Sequence, residues 1–218
     1  MNRALAVTLV FLALAGLQGC GNDDNGGNKI DPSEVLSYVG LAVGNAWHYD
    51  VTVGSATLQG EVDVTRVDNT YKDGVDAYVV EIRQNALLVA TRWYQATGEG
   101  LFLLGEKNQE GSTVVERTFV NPIKIIPYPM EDERGIAVQT WSTESELEQG
   151  GSERHRFDNA GKSEYEVPAG TFTAYHLVHT RTDANNQSEQ YDEYFSPGNW
   201  FVEFELPEGD SWQLSQPD

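Results

Sequence analysis

Apolar and polar residues alternate with a period of two through most of the chain, the pattern of strands with one buried face. From Trp47, the series Trp47, Tyr49, Val51, Val53 runs against His48, Asp50, Thr52, with the aromatic and aliphatic residues on one side. The alternation recurs at Val62 and Val64, Tyr78 to Ile82, Leu87 to Tyr94, Leu101 to Leu104, Val114 to Val120 and Ile136 to Ser142. It continues at Ser152 to Phe157, Lys162 to Val167, Ala174 to Arg181, Tyr191 to Phe195 and Trp200 to Leu206. Turn residues such as Gly54-Ser55 and Asp73-Gly74 punctuate the runs. Strands at roughly ten-residue spacing without a long helical pattern predict an all-β fold. The expected form is a strongly curved antiparallel sheet, a half-barrel or open barrel, with at most one or two short helices. One helix is expected after Asp31-Pro32-Ser33-Glu34, with Asp31 or Ser33 as its cap.

Two segments break the alternation. Between Asn121 and Met130, Pro122, Pro127 and Pro129 lack the donors that a central strand requires. This stretch reads as an apolar crossing loop or an edge, with its Ile, Tyr and Met side chains packed to close one end of the sheet; an exposed binding patch is the alternative. At the N-terminus, Arg3 precedes an apolar run from Ala4 through Leu17, the layout of an export signal. A membrane-spanning helix needs about 20 apolar residues, and this run stops at Gln18.

Leu17-Gln18-Gly19-Cys20 resembles the lipobox of bacterial lipoproteins. The resemblance implies that Leu17 and Gly19 are read by the processing peptidase and that Cys20 is acylated, becomes the new N-terminus and attaches the chain to a membrane. Each buried acyl CH₂ contributes about 0.8 kcal/mol, and stable anchoring takes more than one chain. In enteric bacteria an Asp directly after that cysteine marks inner-membrane retention; Gly21 stands there, so a Gram-negative source favours the outer membrane. The chain divides into a signal peptide, 1–19, a flexible Gly/Asn/Asp tether, 20–33, and one antiparallel β domain, 34–218.

Cys20 is the only cysteine, so the domain must hold by its core without disulfides. The formal net charge of −20 excludes nucleic acid as a partner, because that affinity rests on cationic side chains.

Leu41-Ala42-Val43-Gly44-Asn45-Ala46-Trp47-His48-Tyr49 is similar to the opening of a broad, mostly uncharacterised group of bacterial envelope lipoproteins that begin Leu-x-Val-Gly-Asn-x-Trp-x-Tyr. Val167-Pro168-Ala169-Gly170-Thr171-Phe172 and Tyr194-Phe195-Ser196-Pro197-Gly198 resemble two later elements of that group, while Asn199-Trp200 departs from it. What the resemblance implies is a curved sheet comparable to the half-barrels of periplasmic lipid and lipoprotein carriers. In physical terms Gly44 and Gly170 suit tight turns, Pro197-Gly198 suits a type II turn, and Trp47 and Phe172 would fill the core.

No constellation announces chemistry. His176 and His179 are three apart on a strand and point to opposite faces, which argues against a shared metal. Arg154-His155-Arg156 is expected on a solvent face, paired with carboxylates. Gly161-Lys162-Ser163 has Arg156 where a phosphate loop needs glycine and reads as a turn. Asp183 to Glu189 spaces oxygen ligands like a calcium loop, but Ser188 and Tyr194 stand where its glycine and closing glutamate belong, so a hairpin turn is expected. Glu203 and Glu205 share one strand face and read as wet surface. The reading is therefore no catalytic residue, no metal and no cofactor. First in rank is a non-catalytic envelope module, structural or interacting with an unknown envelope protein. A carrier or sensor for an apolar ligand in the concave face follows, then a hydrolase with dispersed residues.

Overall fold

The computed structural model describes residues 30–205 and 209–216. Leu17, Gly19, Cys20 and the tether up to residue 29 lie outside the described residues. Helix α1 (Pro32–Val39) comes first. The Asp31 carboxylate accepts the Ser33 N–H at 2.8 Å, Pro32 opens the first turn, and Gly40, at φ 74°, ends the helix. The helix thus begins inside the stretch read as tether.

Twelve strands follow: β1 (Ala46–Val53), β2 (Ala56–Asp68), β3 (Ala77–Gln84), β4 (Leu87–Thr97), β5 (Gly100–Glu110), β6 (Thr113–Pro127), β7 (Thr140–Glu146), β8 (Ser152–Val167), β9 (Gly170–Thr182), β10 (Ser188–Ser196), β11 (Trp200–Glu205) and β12 (Ser211–Ser215). They form one antiparallel sheet in the order β6-β5-β4-β3-β2-β1-β12-β11-β10-β9-β8-β7. Hairpin neighbours pair with each other, and β1 pairs with β12. Joining the two ends of the domain in this way curls the sheet into a nearly closed barrel, with β6 opposite β7 along the remaining seam.

The seam has a cause in sequence. Pro122 and Pro127 take donors out of β6, and side chains of β7 replace the missing ladder. Asn121 N–H donates to Ser145 Oγ at 2.9 Å, Lys124 N–H to Thr143 Oγ1 at 3.2 Å, and Trp141 Nε1–H to the Lys124 carbonyl at 3.0 Å. The segment expected as crossing loop or edge is this edge: Ile123, Ile126 and Met130 are fully buried.

Inside, the period of two sets the core. Tyr49, Val51, Val62, Ile82, Leu101, Phe195, Trp212 and Leu214 belong to one apolar cluster. Tyr49 reaches across β12 to donate its hydroxyl hydrogen to the Phe201 carbonyl at 2.8 Å, tying β1 to β11. Helix α1 covers the mouth formed by the β4–β5 and β10–β11 turns, burying Val35 and Val39, while Gly198 N–H donates to the Tyr38 carbonyl at 2.7 Å. On the outer face the β2–β3 loop lays Tyr71 on Trp93, ring centroids 4.4 Å apart, over Val79 and Leu104.

Several expected boundaries shift. The runs at Ser152 and Lys162 are one strand, β8, bulged between Asn159 and Gly161, so Gly161-Lys162-Ser163 lies in a strand and is not a turn. The run from Ile136 is strand only from Thr140. Strand β12 follows the last expected run. Trp47 and Phe172 are half-buried against the core and do not fill it. Gly198 has φ 81° and Asn199 N–H bonds the Ser196 carbonyl at 2.9 Å, the turn expected at Pro197-Gly198.

Candidate functional site

Towards the mouth opposite α1 the inward rows change character. The inward phase of β4 and β5 places Arg92, Glu106 and Glu110, β6 adds Arg117, and β8 contributes Glu153 and His155. Strand β9 contributes His179 and Arg181, and β10 contributes Tyr191 and Glu193. Charged side chains therefore occupy positions that hold Tyr, Leu and Phe nearer the helix.

These groups form one continuous network. Arg117 uses all three of its nitrogens, reaching Glu106 at 3.4 Å, Glu110 at 3.2 Å and Glu153 at 3.2 Å. Arg181 grips Glu153 with two hydrogen bonds, of 2.8 and 3.1 Å, the bidentate geometry that makes such pairs strong. From Glu153 a row crosses the lumen: His155 Nε2 lies 3.3 Å from Glu153, His155 Nδ1 lies 3.0 Å from His179 Nε2, and His179 Nδ1 lies 3.2 Å from Glu193. The His179 ring also stacks on Phe157 at 4.1 Å.

Burial and pairing set the charges. Burial pushes the Glu153 carboxyl up, but hydrogen bonds from His155 and Arg181 outweigh it and bring the group down to about 2. Burial likewise opposes ionisation of Glu106, and Arg92, Arg181 and Arg117 together hold it below the usual carboxylate range. Burial dominates at His155, whose imidazole is pushed below its ordinary value.

Two atoms stand outside this pairing. Arg92 Nε lies 3.7 Å from Glu106, beyond hydrogen-bond length. It is buried without a hydrogen-bond partner among the described residues, as is Glu193 Oε2. Arg92 and Glu193 both line a chamber of about 60 Å³ in the lumen, together with Tyr94, His155, His179 and Arg181. Glu106, Tyr191 and Glu205 also line it, so Glu205 is not the wet surface expected of it, and the remaining wall is apolar and includes Val62, Ile82, Trp200 and Phe204. Trp200 reaches it from a backbone φ of 67°, an uncommon conformation for a bulky residue. A vestibule of about 470 Å³ opens beyond it, lined by Glu110, Arg117, Arg181, Asp183, Gln187 and Glu189. Arg181 lines both spaces and so stands between the chamber and the outside.

Sequence reading missed this cluster and misplaced one of its members. His155 does not lie on a solvent face: it is 3% exposed and points inward, because it is in phase with Phe157. Its neighbours Arg154 and Arg156 do face outward, paired with Glu144 at 3.1 Å and Asp158 at 2.9 Å. His176 and His179 do take opposite faces; His176 bonds Asp192 at 2.6 Å and stacks on Tyr194 at 4.6 Å on the outside. Glu203 is held by Tyr165, Ser211 and Gln213, a bonded surface more than a wet one. Asp183 closes a hairpin turn by accepting the N–H groups of Asn185 and Gln187, each at 2.8 Å. The signal that would have found the cluster is the phase itself: Glu153 and His155 run in register with Phe157, and His179 and Arg181 with Tyr175 and Leu177.

No protein-family model matches the chain, and no curated protein matches it. Among solved structures, a protein of Parabacteroides distasonis provisionally named a lipoprotein superposes with a TM-score of 0.43 at 12% identity, over 80% of this chain and 95% of that one.

Proposed function

We propose that this chain is a lipid-anchored envelope lipoprotein whose barrel is a non-catalytic binding module, taking a small ligand into the lumen through the mouth opposite α1. The observation that carries the reading is the chamber together with the vestibule of about 470 Å³ beyond it, a space walled by apolar side chains on one side and by the charged network on the other. Small-ligand sites have this composition, mostly apolar with a few placed polar groups. Binding is favoured over catalysis because all four ring nitrogens of His155 and His179 are engaged, by each other and by Glu153 and Glu193. A general base needs a free nitrogen within reach of the proton it takes.

A carrier of long acyl chains would need an apolar trough along the lumen. Tyr49, Phe119, Phe195 and Trp212 fill that length and are fully buried, so the ligand that fits is small. Anchoring rests on Leu17-Gln18-Gly19-Cys20. The described chain enters at Ile30, against Gly98 of the β4–β5 turn, so the tether joins the covered mouth and the vestibule opens at the other. The test of anchoring is the intact mass of the mature protein. The expected product begins at an acylated Cys20 and partitions with membranes, and Cys20→Ala abolishes both. Acylated, membrane-bound Cys20→Ala protein would refute it.

A further inference from the structure

We infer that the histidine row in the lumen is a proton-loaded latch: it holds one proton more than its two imidazoles carry as neutral rings, shared by His179 and Glu193, and it opens when that proton leaves. This goes beyond the binding reading and does not depend on it. The row makes three contacts, Glu153 to His155 Nε2, His155 Nδ1 to His179 Nε2, and His179 Nδ1 to Glu193 Oε1. Each needs a hydrogen between its two heavy atoms. A neutral imidazole brings one and an ionised carboxylate brings none. Two neutral rings between two carboxylates therefore leave one contact in which acceptor faces acceptor.

The third proton has one place to go. Glu153 accepts from Arg181 through both oxygens and lies 3.2 Å from Arg117 Nε, so it stays ionised and takes the Nε2 hydrogen of His155. His155 Nδ1 is then an acceptor, His179 Nε2 donates to it, and the missing hydrogen falls between His179 Nδ1 and Glu193 Oε1. The second Glu193 oxygen, Oε2, is buried with no hydrogen-bond partner among the described residues, a position far costlier for an ionised carboxylate than for a neutral acid. The surrounding charges agree. Arg92 on β4, Arg117 on β6 and Arg181 on β9 stand against Glu106 and Glu110 on β5, Glu153 on β8 and Glu193 on β10, with Glu205 of β11 on the chamber wall. Tyr94 and Tyr191 add no charge, because burial holds both hydroxyls above their ordinary value. The excess is acidic, and one proton offsets part of it. Without that proton, His179 Nδ1 and Glu193 Oε1 are two acceptors 3.2 Å apart, and the side-chain link from β9 to β10 breaks.

The test is NMR of the mature lipidated protein in detergent, labelled with ¹⁵N in histidine rings and ¹³C in glutamate carboxyls. At about pH 7.5, where a free histidine is neutral, the expected spectrum shows His155 as a neutral ring protonated on Nε2. The third proton appears as an imidazolium at His179 or a neutral carboxyl at Glu193. Two neutral rings beside an ionised Glu193 overturn the inference, as does a stoichiometric divalent metal bound by His155 Nδ1 and His179 Nε2. The latch is read by thermal unfolding. A proton held by the barrel and not by the unfolded chain contributes stability that is complete below about 6.5, the ordinary histidine value, and fades as pH rises and the row gives it up. The melting temperature should fall over the same alkaline interval in which the third proton disappears from the spectrum. Glu193→Gln, whose amide supplies a hydrogen to His179 Nδ1, should lack that fall. An equal fall in the variant, or none in the unmodified protein, overturns the latch, and the unmodified protein decides alone if the variant fails to fold.

Discussion

Gly60 lies where the ring of Trp212 crosses the sheet, and a Cβ there would sit 2.4 Å from a ring carbon and 2.6 Å from Val51 Cγ2. Alanine would ordinarily strengthen a strand interior relative to glycine, so the sign of Gly60→Ala depends on that space alone. The expected result is destabilisation by about 1–3 kcal/mol, the usual cost of overpacking a core, measured by thermal unfolding. An unchanged or higher melting temperature would mean that the ring lies elsewhere. Acid sensitivity belongs to the same scale. His155 is held below its ordinary 6.5, so the unfolded chain binds a proton that the barrel refuses, and stability falls as pH drops below that value. Glu153, brought from 4.5 to about 2, contributes stability that is complete above 4.5 and is lost as pH falls from there towards 2. Both act in one direction, so the melting temperature should decline as pH falls through about 6.5 and decline further below 4.5, with His155→Gln flattening the first decline. A first decline that survives His155→Gln unchanged would assign it to other groups. The inward phase of His155 was legible beside Phe157. What the sequence could not show is that His179 and Arg181 would lie beside it, which only the pairing of β8 with β9 brings about.

Between β6 and β7, strand pairing gives way to side chains. Asn121 and Lys124 donate their backbone N–H groups to Ser145 and Thr143. Removing those acceptors leaves partly buried donors unsatisfied, at about 1–3 kcal/mol each. Ser145→Ala with Thr143→Val should therefore speed hydrogen exchange at the Asn121 and Lys124 amides while the β5 ladder stays protected. Equal acceleration across β4 and β5 would mean that the seam is not a separate unit. The alternation marked eleven of the strands, one of them, β8, through two runs joined at a bulge and another, β7, with a misplaced start. Strand β7 begins late because Asp132 captures the N–H groups of Arg134 and Ile136, each at 2.9 Å, and local side-chain bonding of that kind competes with a ladder. Strand β12 is short, and only Trp212 and Leu214 mark its buried face, too little pattern to separate it from a tail.

For the whole molecule, a curved sheet or open barrel was readable from the number and spacing of strands, but the pairing that nearly closes it was not. Near-closure depends on β1 meeting β12, a contact between the two ends of the domain to which no local pattern points. That contact turns a concave face into a lumen. The apolar rows then pack against one another and fill one half, which leaves the chamber to the charged rows of the other. A lumen filled in this way is a poor container for a lipid and a better one for a small polar molecule. The most direct measurement is mass spectrometry of the mature protein taken from its envelope, under native and then denaturing conditions. The account predicts a native mass above that of the acylated polypeptide, with a small polar molecule released on denaturation. The acylated polypeptide alone under both conditions, or a released lipid, would contradict it.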